Sequence, residues 1–265
     1  MSFIEREKNG LMWLESTLIQ AKHCFSSRLG GVSSGYLESL NLGVNRGDAP
    51  ENVLENYRRL GAALGIDLTR PVVTHQVHKA EVRVASEPDR RGLYEPGDWE
   101  ADGLVTSIRG LPIIIYIADC VPMLLCDAEN GVVGAVHCGW RSSVADILGN
   151  AVGKMAELGA RPENICAAAG PSIGPCCFET GPEVPEAIDR YLGGDSAGLY
   201  RPEDGVAGKY MVSLAEANRR RLIQLGLRPE NVEVCPVCTK CDSARFWSHR
   251  ATNGRRGSQC AVIVL

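Results

Sequence analysis

The chain has 265 residues, of which 45% are hydrophobic and 23% are charged, and its formal net charge is −4 at pH 7. These proportions are typical of a globular protein with a hydrophobic core of its own, so general disorder is excluded. Because 32 acidic side chains outnumber 28 basic ones, the sequence also lacks the basic surface that binding to nucleic acid or to an anionic membrane would require.

The N-terminal residues 1–8 carry charged side chains and no continuous apolar segment, so no secretory signal is predicted and the cytoplasm is the expected compartment. The longest apolar stretch, residues 110–126, is shorter than the ~20 residues of a membrane-spanning helix and contains Asp119. We therefore expect no membrane insertion. In a reducing compartment the eleven cysteines are not expected to form a disulfide framework, so each is a candidate ligand or a core residue.

Helical and strand patterns follow one another along the chain. Residues 48–51 resemble an N-cap at Asp48 with an acidic residue three positions later, and apolar residues at helical spacing then predict a helix that ends near Gly65. Two more helices are predicted, over 144–155 before Gly159 and over 213–225 before Gly226. Strands are predicted at 82–84, 111–117, 121–126, 132–136, 165–169, 232–235 and 261–265. Strands in hairpins, mixed with helices that do not alternate strictly with them, indicate an α+β fold in a single domain of residues 1–265.

Three short motifs match functional patterns. Residues 149–155 resemble a phosphate loop, but they lie within a predicted helix and lack its Ser or Thr, so we reject that reading. Residues 170–174 fit the G-x-S-x-G nucleophile elbow, although the flanking prolines and the missing helix favour a turn. Cys235, Cys238 and Cys241 have the C-x-x-C-x-x-C spacing of iron–sulfur or zinc ligands. Because no fourth ligand is evident for them, we favour buried or turn thiols.

Cys120 and His137 lie on the two arms of a hairpin whose turn is predicted at residues 128–131, where Ala-Glu-Asn-Gly favours a turn. Pairing of the arms brings these two side chains close together, at the ends of strands. A third ligand would come from His75 or His78, and the spacing does not choose between them. Cys120, His137 and one of these two histidines predict a transition-metal site. The alternative is that the histidines are ordinary core or surface residues that bind no metal.

Matching stretches along nearly the whole chain carry a family resemblance. They are SSRLGGVS at 26–33, SLNLG at 39–43, GD at 47–48, EN at 55–56, QVH at 76–78, ADGLVT at 101–106, ADCVP at 118–122, AVHCGWR at 135–141, GPSIGPCC at 170–177 and CTKC at 238–241. The chain resembles the laccase-domain family, also called multicopper polyphenol oxidase-like and since recast as purine nucleoside phosphorylases. The resemblance implies a four-layer α/β/β/α sandwich, with His78, Cys120 and His137 as metal ligands. It also implies that the G-x-S-x-G and C-x-x-C-x-x-C matches are incidental parts of the fold.

The resemblance further implies a zinc-dependent enzyme that phosphorolyses adenosine, inosine, guanosine and methylthioadenosine and deaminates adenosine, so purine nucleosides and phosphate are the expected partners. Three protein ligands leave a fourth position on tetrahedral zinc, where a bound water has a pKa of ~7 and becomes a nucleophile. Cys120, His137 and Arg28 are the predicted catalytic residues. Arg28 lies in a glycine-rich turn, and its planar guanidinium suits phosphate.

The sequence allows two interpretations for several other polar residues, a substrate contact or a structural role. Asn41, Gln76 and Arg141 are predicted substrate contacts, along with Arg28, but each is equally suited to holding a loop. Asp102 and Asp119 are expected to orient backbone or ligands, as metal sites require. Residues 248–252 lack the second arginine and the acid that are usual in the family, which puts in question any substrate contact made by this segment.

Three alternatives remain. Copper-dependent oxidation of phenols is disfavoured because five histidines cannot supply a multicopper centre, although Cu²⁺ can occupy a zinc site. Hydrolysis of an amide in a peptidoglycan precursor is permitted by the resemblance. In the third alternative the protein is a non-catalytic binding module, in which zinc only holds the hairpin to the segment around His78.

Overall fold

Two β-sheets packed face to face form the centre of the protein, as described by a computed structural model that covers residues 3–95 and 99–265. The strands are β1 (Phe3–Lys8), β2 (Leu11–Ser16), β3 (Lys22–Ser26), β4 (Val82–Val84), β5 (Gly103–Thr106), β6 (Ile113–Ile117), β7 (Val121–Asp127), β8 (Val132–Cys138), β9 (Cys166–Ala169), β10 (Glu179–Thr180), β11 (Tyr200–Pro202), β12 (Tyr210–Val212), β13 (Val232–Val234) and β14 (Gln259–Val264). The helices are α1 (Pro50–Leu64), α2 (Trp140–Val144), α3 (Ile147–Glu157), α4 (Glu183–Tyr191) and α5 (Leu214–Gln224).

The first sheet is antiparallel and has the order β1-β2-β3-β14-β6. The second has the order β13-β9-β7-β8-β5-β4, with parallel pairs only at its two edges. A small sheet, β10-β12-β11, lies apart from both in the hydrogen-bonding order. Since parallel and antiparallel strands share one sheet, the predicted α+β class is confirmed.

Alternation along the strands produces four layers. On β14, Ala261 and Ile263 belong to the core between the two sheets, whereas Cys260 and Val262 pack with α1. On β7, Leu124 faces the first sheet, and its neighbours on either side face α3 and α5. The outer face of the first sheet is therefore covered by α1 and that of the second sheet by α3 and α5, and the α/β/β/α sandwich implied by the resemblance is confirmed.

The hairpin that the sequence predicted is formed by β7 and β8. Val121 pairs with Cys138 and Pro122 with His137, and the turn ends at Gly131, whose φ of 63° suits glycine. This register brings the start of β7 beside the end of β8. It is the part of the fold that positions the candidate site.

Two helix predictions need correction. The helix expected over 144–155 is interrupted at Asp146, whose φ of 64° ends α2, and its side chain accepts a hydrogen bond from the Gly149 backbone to begin α3. The N-cap of α1 is Ala49 and not Asp48. The Asp48 carboxylate instead accepts hydrogen bonds from Ser33 and Asn41, among others, so it joins separate segments of the chain.

None of the helices in the described residues combines the length and the apolar character that a membrane span needs.

Candidate metal centre and substrate cavity

His78, Cys120 and His137 meet at one end of the second sheet, where their ligand atoms all lie within 4.8 Å of one another. Cys120 directly precedes β7, His137 is paired with Pro122 across the hairpin, and His78 comes from the loop before β4. The His78 and His137 rings are edge to face, with centroids 4.8 Å apart. His75 borders the neighbouring cavity and is not part of this ligand group.

The buried carboxylate of Asp102 organises two of the three candidate ligands. It accepts a hydrogen bond from Nδ1 of His137 at 2.7 Å and from the backbone N–H groups of residues 77, 78 and 79 at 2.9 to 3.0 Å. Burial alone would raise the pKa of Asp102, but the bonds from His137 and from the backbone outweigh it and lower the pKa. The carboxylate therefore stays ionised, leaves Nε2 of His137 for a metal and fixes the loop of His78.

The two histidines differ in charge. Burial would lower the pKa of His137, but the sulfur of Cys120 and the carboxylate of Asp102 reverse this and raise it to about 9. For His78, burial and the neighbouring His137 lower the pKa. In the metal-free chain His78 is thus neutral at neutral pH, and a metal must displace a proton from His137 when it binds.

The backbone at Gly139 closes one side of the site. A Cβ atom at this position would lie 2.6 Å from Nδ1 of His78 and 3.6 Å from the sulfur of Cys120. Only glycine leaves room for the His78 ring here, so the ring is packed against the start of α2. Two imidazoles and one thiolate at this spacing fit a single zinc-like ion, with one coordination position left for water or substrate.

The three candidate ligands border a cavity of about 570 Å³. This volume lies in the range of small-molecule sites. Tyr94, Trp99 and Tyr116 supply aromatic surface to its wall, and Arg46 and Arg256 supply positive charge. The cavity can therefore accept a flat ring and an anion at the same time, next to the metal ligands.

Arg46 and Arg256 form a pair of guanidinium groups that sequence reasoning missed. Both donate to the hydroxyl of Ser258, Arg46 from Nε at 3.3 Å and Arg256 from Nη1 at 2.8 Å. Burial and the charge of Arg46 lower the pKa of Arg256 to about 10. Within residues 3–95 and 99–265, neither forms an ion pair with a carboxylate. Two close positive charges at the cavity wall favour a bound anion.

Arg28, the predicted phosphate contact, is not among the described residues that line this cavity. Its Nε donates to the carbonyl oxygen of Glu38 and its Nη1 to that of Ser243, both at 3.0 Å. Its guanidinium also stacks on Trp247, 3.9 Å from the ring centroid. These contacts give Arg28 a role in holding loops together. Asn41 is fully buried, and its side-chain amide forms hydrogen bonds with the backbone of Gly43 and Ser258, so it too holds a loop.

The two remaining predicted substrate contacts have different locations. Gln76 borders the cavity, but its side-chain amide is already paired with the backbone of Tyr116. Its Nε2 donates to the Tyr116 carbonyl oxygen at 2.8 Å, and its Oε1 accepts from the Tyr116 N–H at 2.6 Å. Arg141 is exposed and stacks on Trp140 at 4.4 Å, and it is not among the described lining residues. Asp119 lies beside Cys120 and accepts hydrogen bonds from other loops, as a positioning residue would.

Comparison with known proteins gives matches along most of the chain. A family model described as multi-copper polyphenol oxidoreductase laccase matches residues 22–265. A purine nucleoside phosphorylase of Deinococcus radiodurans is 38% identical over 257 residues, which are 97% of this chain and 94% of that protein. An adenosine deaminase, RL5, from an unknown prokaryotic organism is 34% identical over 239 residues, 88% of this chain and 89% of that protein.

A third relative is also known as a crystal structure. Purine nucleoside phosphorylase YlmD of Geobacillus stearothermophilus is 34% identical over 245 residues, covering 90% of this chain and 88% of that protein. Superposition on the crystal structure of YlmD from the same organism gives a TM-score of 0.90, with 32% identity and coverage of 99% of this chain and 98% of that one. The whole sandwich, including the hairpin that carries the candidate site, is therefore shared with a solved structure.

Proposed function

The chain belongs to the multi-copper polyphenol oxidoreductase laccase family, and we propose that it is a zinc-dependent purine nucleoside phosphorylase. The predicted family is confirmed by the match over residues 22–265. The prediction of an enzyme is confirmed by curated relatives that are named as enzymes.

A single observation carries the proposal: the candidate metal ligands and the Arg46–Arg256 pair border the same cavity of about 570 Å³. Phosphorolysis needs a phosphate, a ribose and a purine in one place, with the phosphate against the anomeric carbon. Paired guanidinium groups suit a phosphate dianion, and aromatic walls suit a purine ring. Arg46 and Arg256 thus take the role that the sequence had suggested for Arg28.

In this reaction a phosphate oxygen bonds to the anomeric carbon of the ribose while the bond from that carbon to the purine nitrogen breaks. The products are ribose 1-phosphate, or methylthioribose 1-phosphate from methylthioadenosine, and the free base, whose nitrogen gains a proton. Arg46 and Arg256 orient the phosphate and neutralise its charge. His78, Cys120 and His137 would hold the zinc, which when bound supplies a Lewis acid and can activate water. The substrates we propose are adenosine, inosine, guanosine and methylthioadenosine.

The test is release of hypoxanthine from inosine by the purified protein, with and without phosphate. We expect phosphate-dependent release from the wild type. Arg256→Gln should raise the KM for phosphate about tenfold or more while retaining zinc, because a charge-assisted contact of ~1.5–3 kcal/mol is lost. Equal and negligible release from the wild type and from Cys120→Ala would refute the phosphorylase assignment.

Deamination of adenosine is a second candidate, favoured by the relative named adenosine deaminase. Water would then take the place of phosphate as the nucleophile, so the arginine pair would matter less. Formation of inosine from adenosine in phosphate-free buffer, unchanged in Arg256→Gln and lost in Cys120→Ala, would support it. If no inosine forms, the cavity serves phosphorolysis or another reaction. Metal analysis of protein expressed without added copper tests zinc against copper.

A further inference from the structure

A second group of metal-binding side chains lies outside the cavity described above. The sulfur atoms of Cys176, Cys177, Cys238 and Cys241 all lie within 4.8 Å of one another. The first two come from the turn after β9, and the other two from the segment after β13. Cys235, the first cysteine of the C-x-x-C-x-x-C motif, is instead buried in the core between the two sheets. The motif therefore supplies only two of the four sulfurs, and the other two come from a distant part of the chain.

The spacing of these four sulfurs suits one ion. The sulfur of Cys241 lies 3.5 Å from that of Cys176 and 3.4 Å from that of Cys177. A disulfide bond is about 2.05 Å long, so these are separate thiols. Tetrahedral zinc with bonds of about 2.3 Å to sulfur places its ligands about 3.8 Å apart. A cluster of several irons distributes its thiolates over different metal atoms and needs them farther apart.

The backbone around Cys238 is arranged for a thiolate. The N–H of Gly174 donates to its sulfur at 3.2 Å, and the N–H groups of Lys240 and Cys241 donate to the same atom. Such hydrogen bonds stabilise a negatively charged sulfur and fix its direction, as the surroundings of metal ligands usually do. Gly174 thus links the two turns that supply the four cysteines.

The four-cysteine cluster is also connected to the candidate metal centre. Thr239, between Cys238 and Cys241, is fully buried and donates its hydroxyl to Asp119 at 2.6 Å. Asp119 directly precedes Cys120 and has a left-handed φ of 85°. The turn that holds two of the sulfurs therefore supports the strained turn that presents Cys120 to the cavity.

We infer that Cys176, Cys177, Cys238 and Cys241 bind a second zinc ion, separate from the one proposed at the cavity. All four coordination positions are taken by protein sulfurs, so this site is closed and structural, without a place for substrate. The ligands bind as thiolates, and the protons of the thiols pass to solvent as zinc enters. The ion ties the turn after β9 to the segment after β13. This inference does not depend on the proposed reaction.

The experiment is the zinc content of the full chain, purified anaerobically and measured by mass spectrometry of the metal, in the wild type and three variants. We expect two zinc ions per chain in the wild type and one in Cys241→Ser, a twofold loss. Cys241 is exposed, so this change should not disturb the core. Cys235→Ala is the matched control from the same motif, and it should keep both ions. His78→Ala should lose the other ion.

Substitution with Co²⁺ provides a second measurement on the same proteins. In the wild type, sulfur-to-cobalt charge-transfer absorption should reflect four thiolates at one site and one at the other. It should fall to the single-thiolate level in Cys241→Ser and remain largely intact in His78→Ala. Equal zinc content in wild type and Cys241→Ser would overturn the inference. An intact mass showing a disulfide among the four cysteines in the anaerobic wild type would overturn it as well.

Discussion

The two groups of candidate metal ligands are built in opposite ways. The set of His78, Cys120 and His137 has three ligands of mixed type, mounted on a hairpin of the central sheet and open to a cavity. The four-cysteine cluster has a full set of sulfurs mounted on two turns near the surface. A metal ion with an open coordination position can bind water or substrate, whereas an ion with four protein ligands can only cross-link parts of the chain.

The supports of the two sites differ in the same sense. The open site relies on one ionised carboxylate, Asp102, which bonds to His137 and to the backbone at His78. The closed site relies on backbone N–H groups that point to the sulfur of Cys238. A carboxylate partner increases the basicity of a histidine ligand, while N–H donors stabilise charge on a thiolate. The supports thus match a reactive metal in one case and a static one in the other.

Among substitutions that test the difference between the two sites, Cys120→Ala is expected to have the largest effect. It removes one of three ligands at the open site, so we expect phosphorolysis to fall roughly a thousandfold, about 4 kcal/mol of transition-state stabilisation. One zinc per chain should remain, at the four cysteines. Cys166→Ala, at another partly exposed cysteine, should keep both ions and full turnover. Activity of Cys120→Ala within tenfold of wild type would remove the open site from the reaction.

A smaller effect is expected from Asp102→Asn. The amide loses acceptor capacity for His137 and for the backbone at residues 77–79, so zinc affinity at the open site should fall about 10–100-fold. Competition with a chelator measures this. Asp127→Asn is the control, because Asp127 is equally buried and also accepts backbone N–H bonds, from Asn130 and Arg161. Equal zinc affinities of the two variants would show that Asp102 acts on stability alone.

The open site was within reach of sequence reasoning because its ligands depend on local structure. A four-residue turn predicts the hairpin, and the hairpin brings Cys120 beside His137. Spacing alone did not choose between His75 and His78, and the family resemblance supplied that choice. The broken helix at Asp146 could not be predicted, since apolar residues continue at helical spacing on both sides of it.

The four-cysteine cluster and the arginine pair were out of reach for a different reason. Cys176 and Cys241 are 65 residues apart, and only the pairing of β9 with β13 brings their loops together. Arg46 and Arg256 are likewise joined by the position of Ser258, the residue directly before β14. On a sequence each of these arginines looks like an ordinary surface residue. Contacts between distant loops depend on strand order, which local patterns do not specify.

The smallest effect concerns the connection between the sites. Thr239→Val keeps the shape of the side chain but removes its hydrogen bond to the carboxylate of Asp119, which should cost about 1–3 kcal/mol of unfolding free energy. Turnover should fall by less than about tenfold, because Cys120 loses orientation but keeps its metal. Both zinc ions should remain. Thermal unfolding, zinc content and kcat at saturating substrate measure these three effects separately.

Two further variants decide whether the connection acts on the reaction. Thr239→Ser restores the hydroxyl and should restore kcat, since the bond to Asp119 can form again. Thr106→Val is the matched loss of a buried hydroxyl, one on β5 that donates to the carbonyl oxygen of Ala85. It should lower stability similarly and leave kcat unchanged. If Thr106→Val lowers kcat as much as Thr239→Val does, general destabilisation explains both, and the two metal sites act independently despite the short path between them.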